Sequence, residues 1–161
     1  MRPRPLTPGL RLWRIVTGPH PIWSGEGARL FGQRWNPPGM AAIYTGTSFA
    51  VCLLEILVHA NRRRPPSAAR CVEATVPADV SREVFDAAAH PGWDDPHDVG
   101  VGQAFGREWI ASGRSALLVV PSVVTAGQDS NVVVNPAHPD AARIVVGTER
   151  AVRLDPRVFG T

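Results

Sequence analysis

Glycine and proline set the main limit on what this chain can fold into. The 161 residues include 15 glycines and 16 prolines, spread along the whole sequence. Each tends to end or bend a regular element, so long helices are confined to the few stretches that lack both. Short apolar runs predict strands at 11–16, 41–45, 70–77, 115–124 and 130–136. Helices are predicted at 47–60 and 101–112, the second ending at Gly113.

The order of these elements predicts the fold class. Strands and helices interleave without the regular strand–helix alternation of a doubly wound parallel sheet. We therefore expect one α+β domain with mixed or antiparallel sheets and flanking helices. Residues 1–10 are assigned as an N-terminal tail and residues 11–161 as the domain. Residues 27–40 hold too many glycines and prolines for a helix and are expected to be extended around a turn.

Composition and charge exclude several classes of protein. Hydrophobic residues make up 44% and charged residues 19%, which fits a folded domain. The net charge is only +3, and the arginine run within 61–66 indicates a solvated loop rather than a nucleic-acid surface. Two cysteines are too few for a disulfide framework. With no signal segment and no long apolar stretch, we expect a cytoplasmic protein without membrane or direct nucleic-acid partners.

Glu55 is the main anomaly of the sequence. It lies inside the apolar run from Phe49 to Val58, on the clearest predicted helix. A carboxylate in such surroundings carries a large desolvation cost, so it requires a partner or a polar cavity. One interpretation pairs it with His59, four residues later on the same helical face. The other places it at the floor of a polar cleft, and the spacing alone leaves both open.

Other polar residues suit ligand binding but also have ordinary structural explanations. Arg29 and Arg34 lie in a glycine- and proline-rich segment, where a guanidinium can solvate a surface or hold a phosphate through paired N–H donors. Tyr44, the only tyrosine, can end a strand or stack on a flat ring. Asn131 and Asn135 can form turns. Taken one at a time, these residues do not decide between structure and function.

The motifs of several common enzyme classes are absent. The sequence has no GxSxG elbow, no Walker A loop and no strand–GxGxxG–helix unit of a dinucleotide-binding fold. The five histidines never fall in a metal-ligand spacing, so no metal site is expected. Ser122, His138 and Asp140 supply the residue types of a hydrolase triad, but the elbow motif that would support it is missing.

Five blocks in a fixed order carry a family resemblance. They read GARLFGQRWNPPG, IYT, LLEILVH, VPSVV and NVVVNPAHPD. Together they resemble the RES domain, a family named for an Arg, a Glu and a Ser, whose members act as toxins paired with Xre-like antitoxins in bacteria. The resemblance runs from about residue 11 to residue 155, and region 61–112 carries none of its motifs. One departure is Gln33, where many members have a second glycine.

The resemblance implies a fold, a substrate and a catalytic set. The fold is ADP-ribosyltransferase-like, and the substrate is NAD, cleaved at the nicotinamide–ribose bond with water or phosphate as acceptor and with no separate cofactor. By motif, Arg34 matches the family's Arg, with Arg29 as the nearby alternative, Glu55 matches the Glu, and Ser122 matches the Ser. Nicotinamide leaves as a neutral molecule, so one fixed carboxylate can suffice to stabilise the positive charge that develops on the ribose.

The resemblance also implies residues that bind the substrate. Tyr44 falls where the family has an active-site Tyr, and it would stack on nicotinamide or brace the ribose. Arg29 would help Arg34 to hold the pyrophosphate, and Trp35 and Asn135 are assigned to substrate binding with them.

Two other functions stay open. A true ADP-ribosyltransferase would move ADP-ribose onto a protein target, and a catalytically inactive module would only bind an antitoxin. The resemblance further implies a cognate Xre-like antitoxin as partner and allows a homo-oligomer. The residues themselves fix neither the identity of the antitoxin nor the number of copies.

Overall fold

The structure, a computed structural model, describes residues 9–59 and 68–159, within which eight strands form one sheet. The strands are Leu10–Thr17 (β1), Ile43–Gly46 (β2), Ala69–Val76 (β3), Arg82–Val84 (β4), Leu117–Pro121 (β5), Ser130–Val134 (β6), Val145–Val146 (β7) and Arg150–Val152 (β8). The α-helices are Glu26–Phe31 (α1), Phe49–His59 (α2) and Gly100–Ser112 (α3), and 3-10 turns lie at Ala87–Ala89, Pro139–Arg143 and Pro156–Phe159. No helix in these two ranges has the length and apolar character that crossing a membrane requires.

The sheet is mixed, as the sequence predicted. Its strand order is β4-β5-β6-β2-β1-β3-β7, and β8 also pairs with β3. β4 runs parallel to β5, whereas the other strand pairs in the described residues are antiparallel. This single domain with its flanking helices confirms the α+β class. The arginine run within 61–66 and most of the predicted tail at 1–10 lie outside the described residues.

The two faces of the sheet carry separate apolar clusters. On the loop face, which connecting segments cover, the cluster includes Leu12, Ile43, Leu117, Val132, Val80 and Ile144. On the helix face, which α3 and neighbouring aromatic side chains cover, it includes Leu118, Val133, Trp35, Phe85 and Trp109. Because side chains alternate between faces along a strand, each central strand contributes to both clusters.

Helix α2 lies on the helix face, against β1 and β2. The Ser48 hydroxyl begins it by accepting a hydrogen bond from the N–H of Val51 at 3.1 Å. Cys52 is buried against Gly46 of β2, where a Cβ would lie only 2.8 Å from the Cys52 Sγ. Although nearly every residue from Phe49 to Val58 is apolar, Leu54 is 40% exposed and Val58 59% exposed. A helix on one face of a sheet buries one stripe, whatever the apolar content of its other faces.

Helix α3 approaches the segment around Arg34 through two glycines. Gly102 and Gly106 are buried one turn apart, and a Cβ on either would overlap a backbone carbonyl oxygen, that of Arg34 or that of Trp35. Their lack of side chains therefore lets the helix backbone lie directly against the chain at residues 34 and 35. The helix ends at Gly113 with a φ of 59°, a left-handed conformation that suits glycine, as predicted.

The expectation that residues 27–40 contain no helix is wrong for their first part. The helix α1 covers Glu26–Phe31 and begins where the Ser24 hydroxyl accepts a hydrogen bond from the N–H of Glu26 at 3.2 Å. Buried Ala28 fixes this single turn and a half despite the helix-weakening Gly27. The rest of the segment is a turn, as predicted, with Gln33 and Asn36 paired in an isolated bridge. Gln33 has no positive φ, so a glycine is not required there.

Candidate active site

Glu55 lies where α2 meets the ends of β5 and β6, on the helix face of the sheet. Its Oε1 accepts a hydrogen bond from the Asn131 Nδ2 at 2.8 Å and from the Ser122 Oγ at 3.2 Å. Its Oε2 faces the His59 Nε2 at 3.6 Å. Both interpretations left open by the sequence therefore apply, because Glu55 contacts His59 and also two polar side chains at the edge of the sheet. The surface that these four residues form with Arg34 and Tyr44 is the candidate cleft.

The surroundings of Glu55 favour its ionised form. Burial alone would raise the pKa of this carboxyl, since the side chain is only 28% exposed. The contact with His59 and the hydrogen bonds from Asn131 and Ser122 together outweigh burial and bring the pKa below its ordinary value. In return, the contact with Glu55 raises the pKa of His59, a change that burial and the charge of Arg34 partly oppose. The cleft thus holds a fixed negative charge at neutral pH.

Asn131 reaches Glu55 because of the register of three neighbouring strands. It lies directly opposite Gly46 of β2 and Val120 of β5. Directly opposed residues of antiparallel strands share a face of the sheet. A Cβ built on Gly46 would point toward α2, so the Asn131 side chain also points to the face that α2 covers. From its sequence context Asn131 was interpreted as a turn former and was not assigned to the site. The alternation in NVVVN held the signal, since it places residues 131, 133 and 135 on one face.

Arg34 lies at the opposite end of the cleft from the Glu55–Asn131 contact. Its Nη1 donates to the carbonyl oxygen of Trp93 at 2.7 Å. Burial raises the pKa of Tyr44 and the Glu55 contact raises that of His59, and the positive charge of Arg34 opposes both changes. The guanidinium is therefore within electrostatic range of both groups. Region 61–112, which carried no motif, contributes Trp93 to this end of the cleft.

Tyr44 is a fixed, neutral phenol. Its hydroxyl donates to the Asn36 Oδ1 at 2.7 Å and accepts from the N–H of Trp35 at 3.0 Å. Burial raises its pKa, and the backbone hydrogen bond at Trp35 and the charge of Arg34 only partly oppose this. Asn36 is itself fully buried and donates to the carbonyl oxygens of Ala28, Pro37 and Met40. Tyr44 thus ties the Arg34 segment to strand β2.

Three other residues assigned to the site lie away from Glu55. Arg29 forms a surface ion pair with Glu26 within α1. Trp35 is buried with its ring against Phe85 and Trp93, so it packs the Arg34 segment against the core. Asn135 is buried at the far end of β6 from Asn131, where its Oδ1 accepts from the N–H of Ala137 at 3.1 Å. The structure therefore joins Glu55 to Ser122 and brings Arg34 within electrostatic range of Tyr44 and of His59 beside Glu55, whereas these three side chains make their contacts elsewhere.

The cleft contains no arrangement for nucleophilic or metal chemistry among the described residues. Ser122 bonds Glu55, whereas His138 accepts from the N–H of Asp140 and Asp140 accepts from Ser81, so the three do not form a hydrolase triad. Burial raises the pKa of Cys52 to about 12, which leaves its thiol protonated. No three His, Cys, Asp or Glu side chains in these ranges lie together as metal ligands would. The group of this site that is suited to chemistry is therefore the anchored Glu55 carboxylate.

The fold and site define a small α+β protein with a glutamate-centred cleft, and comparison with known proteins specifies the family. The model of the RES domain matches residues 11–155. The "Prs ADP-ribosylating toxin" of Sphingobium sp. is 40% identical over 154 residues, which are 91% of this chain and 95% of that protein. The "NAD(+) phosphorylase MbcT" of Mycobacterium tuberculosis is 52% identical over a shorter stretch of 42 residues, 25% of this chain and 23% of that protein.

A solved structure shows the same fold. The crystal structure of the M. tuberculosis MbcT–MbcA toxin–antitoxin complex matches with a TM-score of 0.76 at 22% identity, covering 96% of this chain and 89% of that chain. The chain therefore belongs to the RES domain family and is a toxin-type member of it. The resemblance that the five sequence blocks indicated is confirmed.

Proposed function

We propose that this toxin degrades NAD by cleaving the bond between nicotinamide and ribose. The observation that carries the proposal is the Glu55 carboxylate, which is held by donors from three parts of the chain and kept ionised in a polar cleft. As the bond breaks, positive charge develops on the ribose, and a preorganised negative charge beside it stabilises the transition state more than the ground state. The pyridinium leaves as neutral nicotinamide, so the reaction requires no second carboxylic acid to protonate the leaving group.

The other cleft residues have roles that follow from their chemistry. Arg34 uses one N–H group on the carbonyl of Trp93, and its remaining donors suit the pyrophosphate of NAD or an inorganic phosphate. Tyr44 is a flat, neutral ring on strand β2, fixed by its hydrogen bonds with Trp35 and Asn36 and suited to stacking on nicotinamide or bracing the ribose. Ser122 donates a hydrogen bond to Glu55 and is the third residue of the catalytic set.

The direct test is nicotinamide release from NAD by the purified, partner-free chain. Wild type, Glu55→Gln and Glu83→Gln are compared, the last as a control because the Glu83 carboxylate pairs with Arg114 on the surface. We expect Glu55→Gln to lose at least about 100-fold in rate, as does removal of one electrostatic stabiliser in other enzymes. Glu83→Gln should keep the wild-type rate. Full activity in Glu55→Gln would contradict the proposal.

Repeating the assay with and without inorganic phosphate distinguishes the acceptors. Release that requires phosphate indicates an NAD phosphorylase, the activity in the printed name of MbcT. Release that is indifferent to phosphate indicates an NAD glycohydrolase. In both cases NAD is the substrate and no other cofactor takes part.

A second candidate is transfer of ADP-ribose onto a protein, because the relative matched over nearly its whole length is named an ADP-ribosylating toxin. The same Glu55-stabilised transition state serves both reactions, and only the acceptor differs. Label carried from the adenine part of NAD onto protein would favour the transferase. A folded chain that neither releases nicotinamide nor transfers label would instead be an inactive antitoxin-binding module.

We further propose that a cognate Xre-like antitoxin restrains this chain. The matched solved structure is a complex of a toxin with its antitoxin, which supports a protein partner of that kind. Co-expression of the neighbouring small gene product should suppress nicotinamide release and co-purify with the chain. Light scattering of the same samples would also test for a homo-oligomer.

A further inference from the structure

The two oxygens of the Glu55 carboxylate have different surroundings. Oε1 accepts from two donors of the sheet side, the Asn131 Nδ2 at 2.8 Å and the Ser122 Oγ at 3.2 Å. Oε2 faces the His59 Nε2 at 3.6 Å, beyond the range of a well-formed hydrogen bond. The His59 side chain is 77% exposed, so it can rotate into solvent without leaving an internal gap. One oxygen is therefore anchored and the other is available.

Asn131 provides the shorter of the two anchoring bonds, and the backbone fixes its direction. The residue is held in the ladder between Gly46 of β2 and Val120 of β5. The missing side chain at Gly46 lets α2 pack close to this point, which brings Glu55 within reach of a short amide side chain. Ser122, by contrast, follows the end of β5 and makes the longer bond.

We propose that Asn131 is a positioning residue of the active site, which anchors Glu55 through Oε1 and presents Oε2 to the ribose. This inference rests on the proposed function and adds a residue to it. An amide N–H is suited to this role because it donates to a carboxylate without bringing a charge of its own. It stabilises the ionised form of Glu55 and fixes the rotation of the carboxylate plane in one step. Activity then requires Asn131 although this side chain need not touch NAD.

The variants Asn131→Ala and Asn131→Asp test the proposal. Ala removes the donor, and Asp keeps the shape but places a second carboxylate against Oε1. We expect kcat for nicotinamide release to fall about 10-fold in Asn131→Ala and more than about 100-fold in Asn131→Asp, with KM for NAD changed less than about 2-fold. Ser130→Ala is the matched control, because this neighbour on β6 points to the opposite face of the strand.

A purely structural role for Asn131 would lower thermal stability without moving the titration of Glu55. The acid limb of the pH profile of kcat, and the carbon-13 carboxyl shift of Glu55 assigned against Glu55→Gln, therefore decide the matter. We expect both to move upward by about one pH unit in Asn131→Ala. If the folded variant titrates like wild type, the proposal is overturned. If wild type releases no nicotinamide but the carbon-13 titration still moves, the anchoring role stands and the proposed function fails.

Discussion

The two ends of the cleft are built by different physical means. The glutamate end consists of Glu55, His59, Ser122 and Asn131, and it is held by side-chain hydrogen bonds from Ser122 and Asn131 and by the contact with His59. The arginine end is the segment Arg34–Asn36 with Tyr44 and Trp93. There the backbone of the segment lies directly on the glycines of α3, and the guanidinium meets a backbone carbonyl.

This difference predicts different sensitivities at the two ends. Side-chain hydrogen bonds to a carboxylate depend on protonation, so the glutamate end should respond to pH. Close backbone packing depends on volume and hardly on charge, so the arginine end should respond to added atoms. Substitutions at matched positions can therefore separate the two.

The largest effect is expected from Gly106→Ala at the arginine end. Its new Cβ would overlap the carbonyl oxygen of Trp35, a backbone atom that cannot rotate away. Overpacking of this kind costs about 3 kcal/mol, more than the roughly 1 kcal/mol that alanine gains over glycine in a helix. Urea unfolding should show a much lower midpoint. Gly27→Ala in α1, with open space around its Cβ, is the control and should be neutral or stabilising; a similar loss in both variants would contradict the packing argument.

Arg34→Ala should lower activity while leaving the fold intact. Loss of a charge-assisted contact with the pyrophosphate corresponds to roughly 2 kcal/mol, or about 30-fold in kcat/KM for NAD. Arg29→Ala is the matched comparison, since that guanidinium pairs with Glu26 on the surface, and it should change kcat/KM less than about 2-fold. Steady-state kinetics on both variants measures the ratio. A larger loss in Arg29→Ala would reverse the assignment of the two arginines.

The longer strands and helices of this protein were largely predictable from its sequence because their signals are local, whereas the short strands β4 and β7 were not predicted. The apolar run at α2, the strands β1 and β3, and the end of α3 at Gly113 each follow from neighbouring residues. Helix α1 was missed because its start depends on a Ser24 hydroxyl and a buried Ala28 that compensate for Gly27. Local propensity alone could not show that compensation.

The candidate site was only partly predictable, since its contacts join distant parts of the chain. Glu55 was found because a carboxylate in an apolar run is anomalous without any knowledge of the fold. Its partner Asn131 is 76 residues away, and the pairing exists only through the register of β6 with β2. In the same way, the sequence gives no sign that Gly102 and Gly106 are required, because the backbone of Arg34 and Trp35 lies against them only in the folded chain.

Tyr44→Phe tests the polar link at the arginine end with a smaller expected effect. The phenol hydroxyl satisfies the N–H of Trp35 and the Oδ1 of buried Asn36, and both lose a partner when it is removed. We expect a loss of about 1–2 kcal/mol in the free energy of unfolding. Because burial keeps this phenol neutral, the loss in the free energy of unfolding should be the same from pH 5 to pH 8. A loss that varied with pH over this range would show that the arginine end does respond to charge, contrary to the comparison.

The smallest effect, and the sharpest contrast with Tyr44→Phe, is the pH dependence of the His59–Glu55 pair. The raised pKa of His59 stabilises the fold fully below the ordinary histidine value of about 6.5, and this contribution is lost as pH rises through the raised pKa. The lowered pKa of Glu55 stabilises the fold above the ordinary glutamate value of about 4.3, and this contribution is lost as pH falls through the lowered pKa.

The stability difference between wild type and His59→Gln should therefore be greatest near pH 5–6 and shrink by pH 8. For a pair four residues apart on a helix whose histidine is 77% exposed, it should reach only about 0.3–0.5 kcal/mol, and less in high salt. Urea unfolding of both proteins at several pH values measures it, and a difference that grew toward pH 8 would show that the imidazole stabilises the glutamate end in its neutral form.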